Sequence, residues 1–249
     1  MVKIRCGNKV FSNIEGILFD KDGTLEDSQN FLRELAQKRS RLIDARIPGI
    51  GEPLLMAFGL NEGSLDPTGL MAVGSRRDNQ IAAAAYIAET GRSWHEALEI
   101  ARFAFEEADK YIQRTPQNSP LFPGSLAVLQ SLSATELKLG ILSADSTPGV
   151  ENFIDRAGIG NYINLARGVE PNGPGKPEPR LFLEACDALS TTPETTLMVG
   201  DSALDFEMAQ NAGSAGVVGI CWGNANAPVL RKADVAIAHL NELVIIDGE

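Results

Sequence analysis

The sequence predicts an α/β fold: a doubly wound parallel sheet carrying an inserted α-helical domain. Three observations predict it. Short apolar or β-branched runs at 16–19, 137–142, 196–199 and 216–221 lack alternation, the pattern of strands buried on both faces. Helical patterns lie among them at 125–132, 149–157, 179–189 and 204–211, and strands alternating with helices build a parallel sheet. From 27 to 116 this rhythm breaks, with no convincing strand and with apolar residues at helical spacing.

Each element has its own signal. Residues 3–11, with Gly7-Asn8 at the centre, predict a small N-terminal hairpin, and 16–19 is the first strand of the sheet. In the insert, Phe31, Leu32, Leu35, Leu42 and Ile43 recur at helical spacing and 81–87 is a dense alanine-rich helix. Ser93, with Glu96 three positions on, is a capping-box signature opening a helix through Tyr111. The turn-rich stretch 59–69 reads as a specificity-giving loop or equally as a solvated linker. After the insert, Pro123-Gly124 precedes helix 125–132, Gly158 and Gly213 stop the helices before them, and 162–166 is a weaker fifth strand. The expected domains are a core of 1–26 and 117–249 and a helical domain of 27–116. In such sheets ligands bind at the carboxyl ends of the strands, where the chain order reverses.

Composition narrows the function. With 33 Asp and Glu against 22 Lys and Arg, a formal charge of -11 argues against a nucleic-acid binder, so an anionic substrate must meet a local positive site. Cys6, Cys186 and Cys221 are odd in number and far apart, with neither metal-ligand spacing nor a disulfide framework. No signal-peptide segment and no membrane-length apolar window occur. A cytoplasmic protein with no membrane partner is expected.

The chemistry sits at the strand ends. Asp20-Lys21-Asp22-Gly23-Thr24-Leu25 follows Ile17-Leu18-Phe19, and carboxylates at i and i+2 can hold a divalent cation while one oxygen remains free to attack. Taken alone, the hexapeptide also reads as an Asp-Gly turn. Other strand ends add what a phosphate site needs. Ser143-Ala144-Asp145-Ser146 offers a hydroxyl and turn amides, Lys176 stands in a backbone stiffened by Pro and Gly, and Gly200-Asp201-Ser202-Ala203-Leu204-Asp205 adds two carboxylates. Four acids, one lysine and one hydroxyl suit a Mg²⁺ phosphate site.

FDKDGTL, ILSAD, GKPEP and GDSALD, in that order, resemble the four motifs of the haloacid dehalogenase superfamily. The helical insert resembles the cap of its phosphoglycolate phosphatase-like and β-phosphoglucomutase-like branch. The resemblance implies a Mg²⁺-dependent phosphatase acting on a small phosphorylated metabolite through an aspartyl-phosphate. Asp20 would be the nucleophile, Asp22 the acid and base, and Lys176 the cation offsetting charge at the transferring group. Thr24 would support the turn among the substrate-binding residues, with Ser143, Ala144 and Lys176 at the phosphoryl oxygens. Asp20, Asp201 and the carbonyl of Asp22 would hold the metal, with Ser202 and Asp205 behind them. Since Asp22 must carry a proton while Asp20 is ionised, Asp22 is expected to have the higher pKa. A phosphomutase using the same intermediate is the nearest alternative, and a binding module that has lost catalysis is the alternative from another class. A dehalogenase is disfavoured, because its chemistry needs neither metal nor a second acid.

Other motifs carry less. Lys21 fills a slot often apolar in cap-bearing relatives, and either adds positive potential near the phosphate or points away. Arg76-Arg77 starts a helix of the insert and reads as a solvated helix end or as a contact to a substrate anion. His95 and His239 lack partner spacing, and Trp94 and Trp222 read as packing residues. Gly173-Pro174-Gly175-Lys176 fails as a P-loop, because Glu170 and Pro177 occupy positions that need Gly and Ser or Thr.

Overall fold

The computed structural model describes residues 2–170 and 173–246; the ends of the expected core range, 1 and 247–249, lie outside them. In chain order the first elements are β1 (Val2–Cys6), β2 (Lys9–Ile14) and β3 (Gly16–Phe19). Next come α1 (Gln29–Asp44), α2 (Gly51–Phe58), β4 (Leu60–Asn61), β5 (Ser64–Leu65), α3 (Leu70–Val73), α4 (Arg76–Glu89) and α5 (Trp94–Tyr111). The rest are α6 (Ser125–Ser133), β6 (Lys138–Leu142), α7 (Thr147–Ala157), β7 (Leu165–Arg167), α8 (Pro179–Leu189) and β8 (Thr196–Gly200), then α9 (Ala203–Asn211), β9 (Gly216–Ile220), β10 (Val235–Ile237) and β11 (Leu243–Ile246). The chain divides into two compact units, Met1–Asp27 with Pro120–Glu249, and Ser28–Ser119.

The first unit contains the doubly wound parallel sheet, in the order β10-β9-β8-β3-β6-β7. The chain starts in the middle at β3, runs outward through β6 and β7, then returns to the other side for β8, β9 and β10. The reversal therefore falls between β3 and β8, the place where this class of sheet binds ligands. Successive strand residues point to opposite faces. Ile17, Phe19, Leu139, Ile141, Leu197 and Val199 pack with α6, α7 and the N-terminal hairpin, whereas Leu18, Leu142 and Met198 pack with α8 and α9. Both faces are thus covered, which accounts for strands that are apolar throughout. Register puts Phe19 level with Ile141 and Val199, so Asp20, Leu142 and Gly200 leave the sheet at one height.

Several elements differ from expectation. The hairpin is β1 and β2, longer than 3–11, and β11 adds to β1 to make a separate three-stranded antiparallel sheet. β10 and β11 are short, at three and four residues, and each is settled by its partner strand, β9 for β10 and the distant β1 for β11. The fifth strand is Leu165–Arg167, with a 3₁₀ turn at Gly160–Tyr162 where the strand was expected to begin. The three cysteines are free, Cys6 and Cys186 being buried.

The second unit is helical around its own core of residues including Phe31, Leu35, Phe58, Ala101 and Phe105. Two short strands, β4 and β5, close a hairpin within the stretch 59–69, although no strand was expected there. Ser93 accepts a hydrogen bond from the Glu96 amide, but Glu96 turns to Arg92 and the reciprocal half of the box is missing. The complete box in this unit is Ser75 with Asp78 at the start of α4. Trp94 is exposed rather than packed, whereas Trp222, in the first unit, stacks on Phe122. Among the described residues, no helix is long and apolar enough to cross a membrane.

One glycine bears on the strand ends. A Cβ on Gly168 would lie 2.3 Å from the Ser146 carbonyl carbon and 2.4 Å from the Asp145 oxygen, so only hydrogen lets the chain after β7 back the turn after β6. Gly168→Ala is expected to destabilise the protein by about 1–3 kcal/mol, as overpacking does. Urea denaturation checks this, and an unchanged midpoint would show that the turn yields without cost.

Candidate active site

The strand ends bring together residues separated by up to 185 positions in the chain. Asp20 extends β3, its amide donating to the Val199 carbonyl at 2.8 Å. The chain then wraps around the Lys21 carbonyl, which accepts from the amides of Leu25 at 3.0 Å and Glu26 at 2.9 Å. Gly23 sits in this turn at φ 82°, and a Cβ there would overlap an Asp201 oxygen at 2.1 Å. Its glycine thus serves both the left-handed backbone and the close approach of Asp201.

Lys176 reaches into this space from the loop before α8. Its Nζ lies 2.5 Å from Asp20 Oδ1 and 2.6 Å from Asp205 Oδ1, with all three side chains buried. Asp205 is held from behind: Oδ2 accepts from the Ser202 hydroxyl at 2.6 Å and from the Ser202 amide at 3.2 Å. Ser202 also caps α9, so one capping box orients the carboxylate that grips the lysine. Ser143 is buried at the end of β6, and its Oγ accepts from the Asp145 amide at 3.1 Å, an arrangement in which the hydroxyl can still donate. Ala144 follows it in the same turn, half-buried.

Asp20, Asp201 and Asp205 each place a carboxylate oxygen within 4.8 Å of the others. Hard oxygen donors so arranged suit Mg²⁺ or a similar divalent cation. Charge supports the fit, since three carboxylates meet one ammonium. Burial raises the Asp20 pKa, Lys176 lowers it, and Asp205 and Asp22 raise it again, leaving it near 7 against an ordinary 3.8. Asp201 is pushed well up by burial and then by Asp20 and Asp205. Burial opposes the Lys176 ammonium, but Asp20 and Asp205 outweigh it and raise that pKa. A divalent cation would supply the missing positive charge. Asp205 already has both oxygens engaged, so Asp20 and Asp201 are the carboxylates best placed to hold it.

Burial and like-charged neighbours, Asp22 among them, raise the pKa of Asp20. Thr24 is fully buried beneath the turn it was expected to support, and among the described residues its Oγ1 has no hydrogen-bond partner. The Asp22 carboxylate stands outside the three-acid cluster, with Lys21 Nζ 2.9 Å from its Oδ2; its expected share in the metal shell is the backbone carbonyl alone. The ion pairs of Lys21 were not expected, although a lysine two residues past the end of an apolar run and flanked by acids is a visible signal. Arg76 pairs with Asp109 within the helical unit, where His95 is exposed on α5. His239 rests edge-on against Trp222.

A family model of haloacid dehalogenase-like hydrolases matches residues 14–213. The phosphoglycolate phosphatase of Yersinia pseudotuberculosis is 29% identical over 237 residues, which cover 94% of this chain and 93% of that protein. The phosphoglycolate phosphatase of Salmonella typhi is 28% identical over 246 residues, covering 93% and 92%. A crystal structure described as a predicted phosphoglycolate phosphatase from Haemophilus somnus aligns with a TM-score of 0.66 at 21% identity, over 89% of this chain and 92% of that one. At that identity the likeness speaks for the fold alone.

Two measurements check the charge balance. Lys176→Met leaves two buried carboxylates without their cation and is expected to cost about 3–5 kcal/mol in chelator, as breaking a buried ion pair does; a parental denaturation midpoint would refute this. Because the folded pKa of Asp20 lies above its ordinary value, the folded chain binds more protons than the unfolded chain between about pH 4 and pH 7. Stability from this group is present below that window and is lost as pH rises through it. In chelator, the Tm of the parent should therefore fall relative to Asp20→Asn from pH 4.5 to pH 7, and parallel curves would contradict it.

Proposed function

The chain belongs to the haloacid dehalogenase-like hydrolase family and is a phosphatase, and on that premise we propose that it hydrolyses a small phosphorylated metabolite by way of an aspartyl-phosphate on Asp20. The observation that carries this reading is the meeting of Asp20, Asp201, Asp205 and Lys176 at the switch point of the sheet. The first substrate to test is 2-phosphoglycolate, after the relatives at 28% and 29% identity. The helical unit, Ser28–Ser119, takes the role of cap in this reading.

In the first half-reaction a carboxylate oxygen of Asp20 bonds to phosphorus as the bond to the substrate's ester oxygen breaks. Asp22 gives its proton to that leaving oxygen, releasing the alcohol. In the second, Asp22 takes a proton from water as the water oxygen bonds to phosphorus, and the acyl phosphate bond breaks to free phosphate and Asp20. Lys176 holds Asp20 in place and offsets the charge gathered on the phosphoryl oxygens, to which Ser143 and the Ala144 amide donate. Mg²⁺ held by Asp20, Asp201 and the Asp22 carbonyl would add charge stabilisation at the transferring group. Phosphoryl transfer through a loose transition state draws mainly on in-line positioning and electrostatics, the two things this residue set supplies.

The test is phosphate release from 2-phosphoglycolate and from an aryl phosphate, with Mg²⁺ and with chelator. Release should require the metal, and Asp20→Asn should lower it by on the order of 10⁴ or more, as removal of a nucleophile does. A parental rate in Asp20→Asn, or release indifferent to chelator, would overturn the mechanism. Conversion of a hexose phosphate to its isomer without phosphate release would replace it with a mutase.

A further inference from the structure

Lys21 is a charged residue that the reaction above does not use, and its side chain is fully buried. An ammonium removed from water needs carboxylates around it. Nζ lies 2.9 Å from Asp22 Oδ2, 2.9 Å from Asp145 Oδ2 and 3.7 Å from Glu26 Oε2. Glu26 is also fully buried, and its other oxygen accepts a 2.7 Å hydrogen bond from Arg156 on α7. These pairs join two turns. Asp22 lies in the turn after β3, and Asp145 in the turn after β6, two residues past Ser143 and bonded to its hydroxyl through the amide. One cation thus grips the proton donor and the phosphoryl-binding turn together.

We propose that Lys21 is a positioning residue for the proton transfer: its ammonium fixes the Asp22 carboxyl group in one orientation and, through Asp145, fixes that group relative to Ser143. The inference rests on Asp22 being the proton donor. With the ammonium 2.9 Å from Oδ2, a proton on Asp22 is carried by Oδ1. An apolar side chain of the same length fills the space but cannot orient a carboxyl group. A misplaced donor is felt most where the leaving oxygen is basic and must be protonated as it departs, and least where it leaves readily as a phenolate.

Leaving-group dependence tests this, with 2-phosphoglycolate as the alkyl ester and 4-nitrophenyl phosphate as the ester with the better leaving group. Lys21→Met should lower kcat on the alkyl ester by about 10²-fold, as a misplacement near 1 Å does, with KM little changed. The loss on the nitrophenyl ester should stay below about tenfold, and Lys21→Arg should restore part of the difference. Asp22→Asn should show the same selective loss, and adding Lys21→Met to it should widen that selectivity no further. Equal losses on both esters in Lys21→Met, with selectivity kept in Asp22→Asn, would overturn the role of Lys21 alone. No selectivity in Asp22→Asn would remove the donor role and the inference with it. If Lys21→Met does not fold, Lys21→Met/Glu26→Gln, which removes a buried negative charge along with the positive one, carries the same comparison.

Discussion

The shortage of positive charge at the carboxyl ends of the central strands is the constraint on which the site depends. Three aspartates converge where one ammonium is available, and burial raises the cost of leaving them ionised. The local fold answers this with backbone features. Asp205 is oriented by the capping box of α9, so the carboxylate gripping Lys176 is as rigid as the helix it begins. Gly23 has no Cβ, which lets Asp201 approach the turn after β3. What these arrangements leave uncompensated is close to one divalent cation's worth of charge.

A second buried lysine organises the other side of the first motif. Lys176 faces Asp20 and Asp205, whereas Lys21 faces Asp22, Asp145 and Glu26, so neighbouring residues of one hexapeptide answer to different cations. Asp20 and Asp22, two residues apart, can therefore sit in different electrostatic surroundings, as unlike roles require. Two buried lysines, Lys176 and Lys21, bring positive charge to the strand ends, where the acids still outnumber them.

Much of this was legible in the sequence because it is local. Apolar runs such as 16–19 and 196–199 mark strands buried on both faces, and polar residues directly after such runs must emerge at the sheet's carboxyl edge. Asp20, Ser143 and Asp201 could be placed on that basis. Short strands escaped because their stability comes from elsewhere: Val235–Ile237 is a strand by virtue of β9, and Leu243–Ile246 by virtue of β1. Ser93-Glu96 matched a capping box in spelling, yet Arg92 one residue earlier offered Glu96 a charged partner and the box stayed half formed.

The sequence by itself determined the alternation of strands and helices, the interruption by a helical unit and the residues offered at each strand end, since periodicity and adjacency act within a few residues. The tertiary structure decided which of those residues face one another. That Lys21 turns inward to Asp22, Asp145 and Glu26, that Thr24 is sealed beneath its turn, and that Asp205 joins Asp20 and Asp201 all follow from strand register and loop packing. A charged side chain takes whichever partners the fold brings within a few ångströms, and for Lys21 these are its near neighbours Asp22 and Glu26 together with Asp145 from 124 residues away.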